Sequence, residues 1–406
     1  MSGSSNPPVA AGTQRGSARE VLLAFLKLGL TSFGGPVAHL GYFRSEFVVR
    51  RQWLDDKSYT DLVALCQFLP GPASSQVGMA LGLGRAGWLG AFAAWLGFTA
   101  PSAVALILFA LGVTRWSGLA SSGAIHGLKV VAVAVVAQAV WGMGKSLCPD
   151  RPRAGIALGA ALLVLAQPGA VGQVAAILLG GLLGATVLRL GQLPPAQHRS
   201  YAVGRRAGAV LLGVFLVLLL LLPVAAAGSG SPMLSAFSTF YQAGALVFGG
   251  GHVVLPLLQA GVVPQGLVSN DTFLAGYGAA QAVPGPLFTF AGYLGAVMPD
   301  PLGGWTGGLL LLLAIFLPAF LLVAGALPFW EALRQRGGVQ QAMAGINAAV
   351  VGVLGAALYD PVWTSAIQSR ADFGLALAAL GLLLFARLSP VVVVAFAALA
   401  GWLLAA

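Results

Sequence analysis

Charge is what this chain of 406 residues has least of: Asp, Glu, Lys and Arg make up 8% of it, where soluble domains carry about 25%. That excludes a water-soluble globular fold. Cysteine is scarce too, and Cys66 and Cys148 each stand alone in or at the end of an apolar segment. This excludes a disulfide framework and a thiolate metal cage. No His-Glu-x-x-His, no metal-spaced histidine pair and no Walker loop occurs. There is thus no motif for a metal, a cofactor, a catalytic centre or ATP-driven pumping, and uphill transport would have to draw on an ion gradient or a partner subunit. The period-two alternation of a membrane barrel is missing as well.

What the chain does have is apolar length. Hydrophobic residues are 58% of the total, the mean hydropathy is +0.90, and apolar runs recur from Val21 to the C-terminus. A run of about 20 such residues spans the bilayer as a helix, which satisfies its own backbone hydrogen bonds in lipid. The expected fold is an all-α polytopic membrane protein. The formal charge of +10 sits in short connections between the runs, where it orients a protein in a lipid bilayer and does not indicate nucleic acid. Residues 1–18 are rich in Ser, Gly, Pro and Ala without an apolar core, which reads as a disordered tail rather than a signal peptide. Arg15 and Arg19 then place the N-terminus in the cytoplasm.

The chain also repeats itself. Phe33-Gly34-Gly35-Pro36 matches Phe248-Gly249-Gly250-Gly251, 215 positions on. Gln67 and Pro70-Gly71-Pro72 match Gln281 and Pro284-Gly285-Pro286; Pro101 matches Pro318; Gly127-Leu128-Lys129 matches Gly345-Ile346-Asn347; Pro168 matches Pro390. Matches in order with slowly growing spacing mark a duplication. The reading is a first repeat over 19–190, a basic loop and linker transmembrane helix over 191–235, and a second repeat over 236–406. Each repeat holds six apolar segments, the first set near 20–43, 58–83, 87–113, 124–145, 153–167 and 170–189.

The unmatched apolar run, 207–227, adds one crossing between the repeats and so inverts the second. Loop charges agree. The connection after the first segment carries Arg44, Arg50, Arg51 and Lys57, whereas its counterpart, 262–271, has no basic residue. Arg85 faces the Pro299-Asp300-Pro301 turn in the same comparison, and the contrast reverses between Arg115 and the pair Arg334 and Arg336. Equivalent loops on opposite faces are what inverted repeats require. Because Arg19, the Arg44–Lys57 loop and Arg85 all carry the cytoplasmic signal, the first two segments of each half are expected to enter and return. Four crossings per half plus the linker follow; about 10 to 13 conventional crossings is the alternative.

Re-entry needs broken helices, and the Gly-Gly-Pro and Pro-Gly-Pro sites supply the breaks. A helix restarting inside the membrane presents free N–H groups and the positive end of its dipole, which suits an anion. The anion-binding candidates are therefore Gly34, Gly35 and Pro36, Gln67 and Pro70-Gly71-Pro72, with Gly249, Gly250, Gln281 and Pro284-Gly285-Pro286 from the second half. Ser74 and Ser75 follow Pro72 in a first helical turn and can donate hydroxyl hydrogens, as can Thr289 after Pro286. The bland account of these prolines and glycines is kinking and close packing.

Lys129 is a lysine well inside an apolar run, a fixed positive charge able to face an anion or, near the segment's end, to snorkel to the interface. Lys27 reads as snorkelling. His39, His252 and Glu46 are the candidates for proton coupling; for the histidines a structural hydrogen bond is the competing role, and for Glu46 an ion pair with Arg50. Asp55 and Ser269 read as N-caps.

These residues resemble the chromate ion transporter (CHR) family, in its two-domain form. The resemblance rests on Ser32-Phe33-Gly34-Gly35-Pro36 with His39, Glu46-Phe47-Val48, Trp53-Leu54, Gln67-Phe68-Leu69-Pro70-Gly71-Pro72 and Gly97-Phe98-Thr99-Ala100-Pro101-Ser102, then Phe248-Gly249-Gly250-Gly251 and Gln281-Ala282-Val283-Pro284-Gly285-Pro286. It implies secondary active export of chromate through a bacterial inner membrane, driven by the proton motive force, with chromate resistance as the result. Sulfate, also a tetrahedral dianion, is the alternative substrate, other small anions are further alternatives, and a membrane-bound catalyst is the reading from another class. A homodimer is the expected assembly if the protein is not monomeric. The second half departs from the pattern, lacking the proline of Gly-Gly-Pro and the Glu46 and Trp53 features. The first half is therefore expected to carry the substrate and coupling groups.

Overall fold

A computed structural model describes residues 16–115, 123–189, 203–334 and 336–405. The tail at 1–15 with Arg15, and the start of the basic loop at 190–202, lie outside the described residues. Of the described residues 84% are helical and none forms a strand. The first half comprises α1 (Ala18–Thr31), α2 (Gly35–Phe43, continued by a wide turn over Arg44–Arg50), α3 (Asp56–Phe68), α4 (Ala73–Arg115), α5 (Gly123–Leu147), α6 (Arg151–Ala166) and α7 (Ala170–Val187). The linker is α8 (Arg205–Ser229). The second half follows as α9 (Pro232–Leu246), α10 (Val254–Val262), α11 (Asn270–Ala280), α12 (Phe290–Val297), α13 (Gly304–Ala326), α14 (Gly337–Ala357), α15 (Arg370–Leu384) and α16 (Pro390–Ala405). The start of α9 at Pro232, where Ser231 caps the N–H of Leu234, falls a turn before the boundary read from the sequence.

Short polar residues set the helix starts. Asp55 accepts the N–H of Ser58 and Ser269 that of Thr272, the two N-caps expected. α4 breaks at Ala86 (φ −140°) and Gly87 (φ 65°) into two arms that fold back on each other, Gly82 against Gly90. Together with the breaks at 32–34 and 69–72 this turns the first two segments into hairpins. Their ends meet at one face: Glu20 of α1 lies 3.7 Å from Arg51 and 3.3 Å from Arg85, and both guanidinium groups stand over the Trp53 ring. The segments enter and return. In the second half Tyr293 of α12 donates its hydroxyl to the Thr272 carbonyl at 3.0 Å, so α12 likewise returns along α11.

Among the described residues six helical stretches are long and apolar enough to cross a membrane: Ala73–Arg115, Gly123–Leu147, Ala170–Val187, Arg205–Ser229, Gly304–Phe329 and Gly337–Ala366. The shorter α6, α15 and α16 run beside them. Only 11% of the linker's most apolar stretch is buried, which leaves that stretch to the lipid.

The halves interlock through small residues, which let backbones approach closely where no hydrophobic force separates protein from lipid. Gly127 of α5 packs on Ala397 and Gly401 of α16; its repeat equivalent, Gly345 of α14, packs on Gly180 and Gly184 of α7. Reciprocal contact of this kind defines a pseudo-two-fold axis. Its direction follows from the order of the pairs. Gly180 faces Ala349 while Gly184 faces Gln341, so α7 and α14 are antiparallel. The short connections at 148–150 and 167–169 send α6 back along the bundle and α7 back again, making α7 parallel to α5. Hence the equivalent helices α5 and α14 run in opposite directions, and the repeats are inverted. Cysteines at Arg51 and Val263 in a cysteine-free background should be labelled by an impermeant maleimide from opposite faces; same-side labelling would contradict the inversion.

Candidate functional site

The four helix breaks meet in reciprocal pairs. Gly71, in the first Pro-Gly-Pro, donates its N–H to the Val247 carbonyl at 2.6 Å, and Gly285, in the second, donates to the Ser32 carbonyl at 2.9 Å. Ser32 and Val247 end α1 and α9, so each tip from one half ties off the first helix of the other. Across the pseudo-axis, Pro36 at the start of α2 approaches its own repeat equivalent, Gly251. Gly34 and Gly249, equivalent to each other, are both exposed at these turns. The amides of Gly71 and Gly285 are consumed by the pairing. The N–H groups that open each restarted helix lack an intrahelical acceptor.

Polar side chains crowd one side of this junction. His39 Nδ1 lies 3.4 Å from Ser74 Oγ, with the ring edge-on to Phe98 at 5.2 Å. The hydroxyls of Ser32, Ser75 and Thr99, the second nitrogen of His39 and the side-chain oxygen of Gln76 are buried without a partner. Ser102 sits on the next turn from Thr99, whose carbonyl it bonds at 3.1 Å, and lies beside Gly285. A buried polar group left unpaired costs about 1–3 kcal/mol, so this cluster carries unmet hydrogen-bonding capacity. The second half replaces it with apolar groups: Val247, Val254, Phe288, Phe290, Phe316 and Ala319 stand where Ser32, His39, Ser74, Gln76, Thr99 and Ser102 do. Thr289, equivalent to Ser75, spends its hydroxyl on the Pro286 carbonyl at 2.8 Å.

The other sequence candidates fall in several places. Gln67 is exposed at the end of α3, and the Gln281 amide nitrogen is buried and unpaired beside its break. His252 bonds the Tyr277 hydroxyl at 2.7 Å, away from the serines. Lys129, 8% exposed, is turned toward Asp271 at the start of α11, its ammonium 3.0 Å from the carboxylate. Glu46 lies outside the cluster, on the charged face of the hairpins, held by Arg50 and by Arg51 Nε at 2.6 Å. Burial pushes its carboxyl up, but the two guanidinium groups outweigh this and hold it below the usual carboxylate range. Ser32, Gln76, Thr99 and Ser102 were not site candidates from sequence. Thr99 and Ser102, flanking Pro101 within an apolar run, carried the available signal.

A family model described as chromate transporter matches the chain twice, over residues 19–185 and 234–402. Among relatives, the chromate transport protein of Pseudomonas aeruginosa is 31% identical over 401 residues, covering 95% of this chain and 92% of that protein. The chromate transport protein of Cupriavidus metallidurans is 29% identical over 395 residues, covering 94% and 92%. The probable chromate transport protein of Synechococcus elongatus is 27% identical over 349 residues, covering 84% of each. No solved structure matches the chain.

Proposed function

The chain belongs to the chromate transporter family, and from that premise we propose that it exports chromate from the cytoplasm by secondary active transport, binding the dianion at the polar cluster of the first half. The observation that carries this reading is the junction of four broken helices with unpartnered hydroxyls on one side of it. Free amides and helix N-termini there favour an anion. Hydroxyl donors match a tetrahedral oxyanion and leave no acceptor-only carboxylate to repel it.

Inverted halves meeting at a central site suit alternating access, in which one half rocks against the other. The face carrying Arg50, Arg51 and Arg85 is the cytoplasmic one by the positive-inside pattern, and the membrane is the bacterial inner membrane. No ATP motif is present in the sequence, so the proton motive force is the energy source this reading invokes. The test is radiolabelled chromate flux in proteoliposomes with and without an imposed proton gradient. Gradient-stimulated flux that excess sulfate competes is the expected result for a site reading tetrahedral dianions; flux equal to protein-free vesicles would overturn the proposal.

A further inference from the structure

Two side-chain contacts to carboxylates join the halves at the face opposite the basic one, and both spring from the first two turns of α5. His126 Nε2 lies 2.7 Å from Asp372 Oδ1 of α15, and Lys129 Nζ lies 3.0 Å from Asp271 Oδ1 of α11. Their repeat equivalents on α14 are Ala344 and Asn347, so this charge arrangement breaks the symmetry that the glycine packing keeps. Asp372 is fixed by its own helix start: Oδ2 accepts the N–H groups of Gln368 at 3.0 Å and Ser369 at 2.9 Å. Oδ1 is left for His126. The histidine side chain is 31% exposed, within reach of the outer solution, whereas that of Asp372 is 9% exposed.

Beside these pairs lies an apolar cavity of about 270 Å³. Phe109, Leu128, Ala279, Val283 and Val394 line it, so it runs from the level of Lys129 to the Pro-Gly-Pro break of the second half. The contacts that tie α5 to α11 and α15 stand at the outer end of this space.

We propose that His126–Asp372 and Lys129–Asp271 form a proton-controlled clamp that holds the outer side of the transporter shut. The clamp rests on the transport reading only in supposing that the outer side opens. Histidine ordinarily titrates between about pH 5 and 8. With a proton taken from the outer solution on Nδ1 and Nε2–H retained, His126 faces Asp372 as an imidazolium and the contact is an ion pair. When that proton leaves, a mostly buried carboxylate keeps neutral donors alone, and the closed arrangement loses stability. The sign is therefore closed at low pH and opening as pH rises. Other charged or titratable groups on the elements packed here are Arg370 of α15, Tyr359 and Asp360 before it, Tyr277 of α11 and Lys145 at the far end of α5. Lys129–Asp271 serves as the second arm of the clamp.

The test uses the full chain in spheroplasts, carrying Ala279→Cys in a Cys148→Ser background, with an impermeant maleimide outside. Each rate is divided by that of the same chain with His126→Arg, which cancels the thiol's own pH response. The ratio should stay near unity at about pH 5.5 and rise about tenfold by about pH 8. With His126→Ala, or His126→Gln if alanine disturbs folding, it should be high at both. A ratio flat with pH, or an uncharged variant labelled like His126→Arg, would overturn the clamp. No substrate is present in this measurement, so its failure leaves the chromate reading intact, and failed chromate flux leaves the labelling result standing.

Discussion

Alanine at Gly285 is expected to abolish chromate flux while leaving a folded, membrane-inserted chain of lowered Tm. The residue has φ +97°, a region that costs an L-residue about 1–2 kcal/mol or more. A Cβ there would stand 3.0 Å from both the Phe98 carbonyl oxygen and Ser102 Oγ. Neither atom belongs to a flexible end. The Phe98 carbonyl is helix backbone, and Ser102 is itself part of the polar cluster, so the tip has to withdraw and its N–H leaves the Ser32 carbonyl. Gly71, with φ +116°, stands in the mirrored place, but its Cβ would meet first the Gln76 amide at 2.9 Å, the far end of a side chain rather than helix backbone. Gly285→Ala should therefore cost more than Gly71→Ala, with flux reduced at least about a hundredfold against about tenfold, since each tenfold is about 1.4 kcal/mol. Gly381→Ala, in a helix with nothing near the added methyl, is the control expected to change nothing. Wild-type flux in Gly285→Ala would mean that the reciprocal pairing of tips is incidental to transport.

Much of this fold was legible from composition and spacing because the bilayer allows so few solutions. Breaks inside apolar runs had to be Gly or Pro, basic loops had to share a face, and the motif offsets showed the duplication. The hairpin reading was right for a physical reason: Arg19, Arg51 and Arg85 could not all be cytoplasmic unless each segment between them returned. What spacing could not show was who partners whom. Lys129 reads from sequence as a charge available to an anion or to the interface, yet a carboxylate 142 positions away in the chain, Asp271, holds it. His126 carried no signal at all, being an ordinary polar residue near a helix start until the fold brings Asp372 to it. Likewise the prolines and glycines marked the breaks in both halves equally, whereas the side chains around them divide the halves into a polar and an apolar member.

That division yields the sharpest test of where the anion sits. Ser74 and Ser75 open the α4 helix directly after a break, both buried, one against His39 and one with its hydroxyl unpartnered. Thr289 occupies the equivalent of Ser75 but already donates to the Pro286 carbonyl, with Phe288 and Phe290 on either side. A hydrogen bond from a neutral donor to a charged group contributes about 1.5–3 kcal/mol. Removing one should thus lower kcat/KM for chromate by tenfold or somewhat more, and removing both by about a hundredfold. Ser74→Ala with Ser75→Ala is expected to show that loss, mostly in KM if the hydroxyls act in binding, while Thr289→Val stays within about threefold because its bond closes a local turn. Equal losses from the two halves would place the dianion on the pseudo-axis, between Pro36 and Gly251, where both halves contribute alike. An unequal loss in the opposite sense would assign it to the second half, against every unpartnered hydroxyl at the junction.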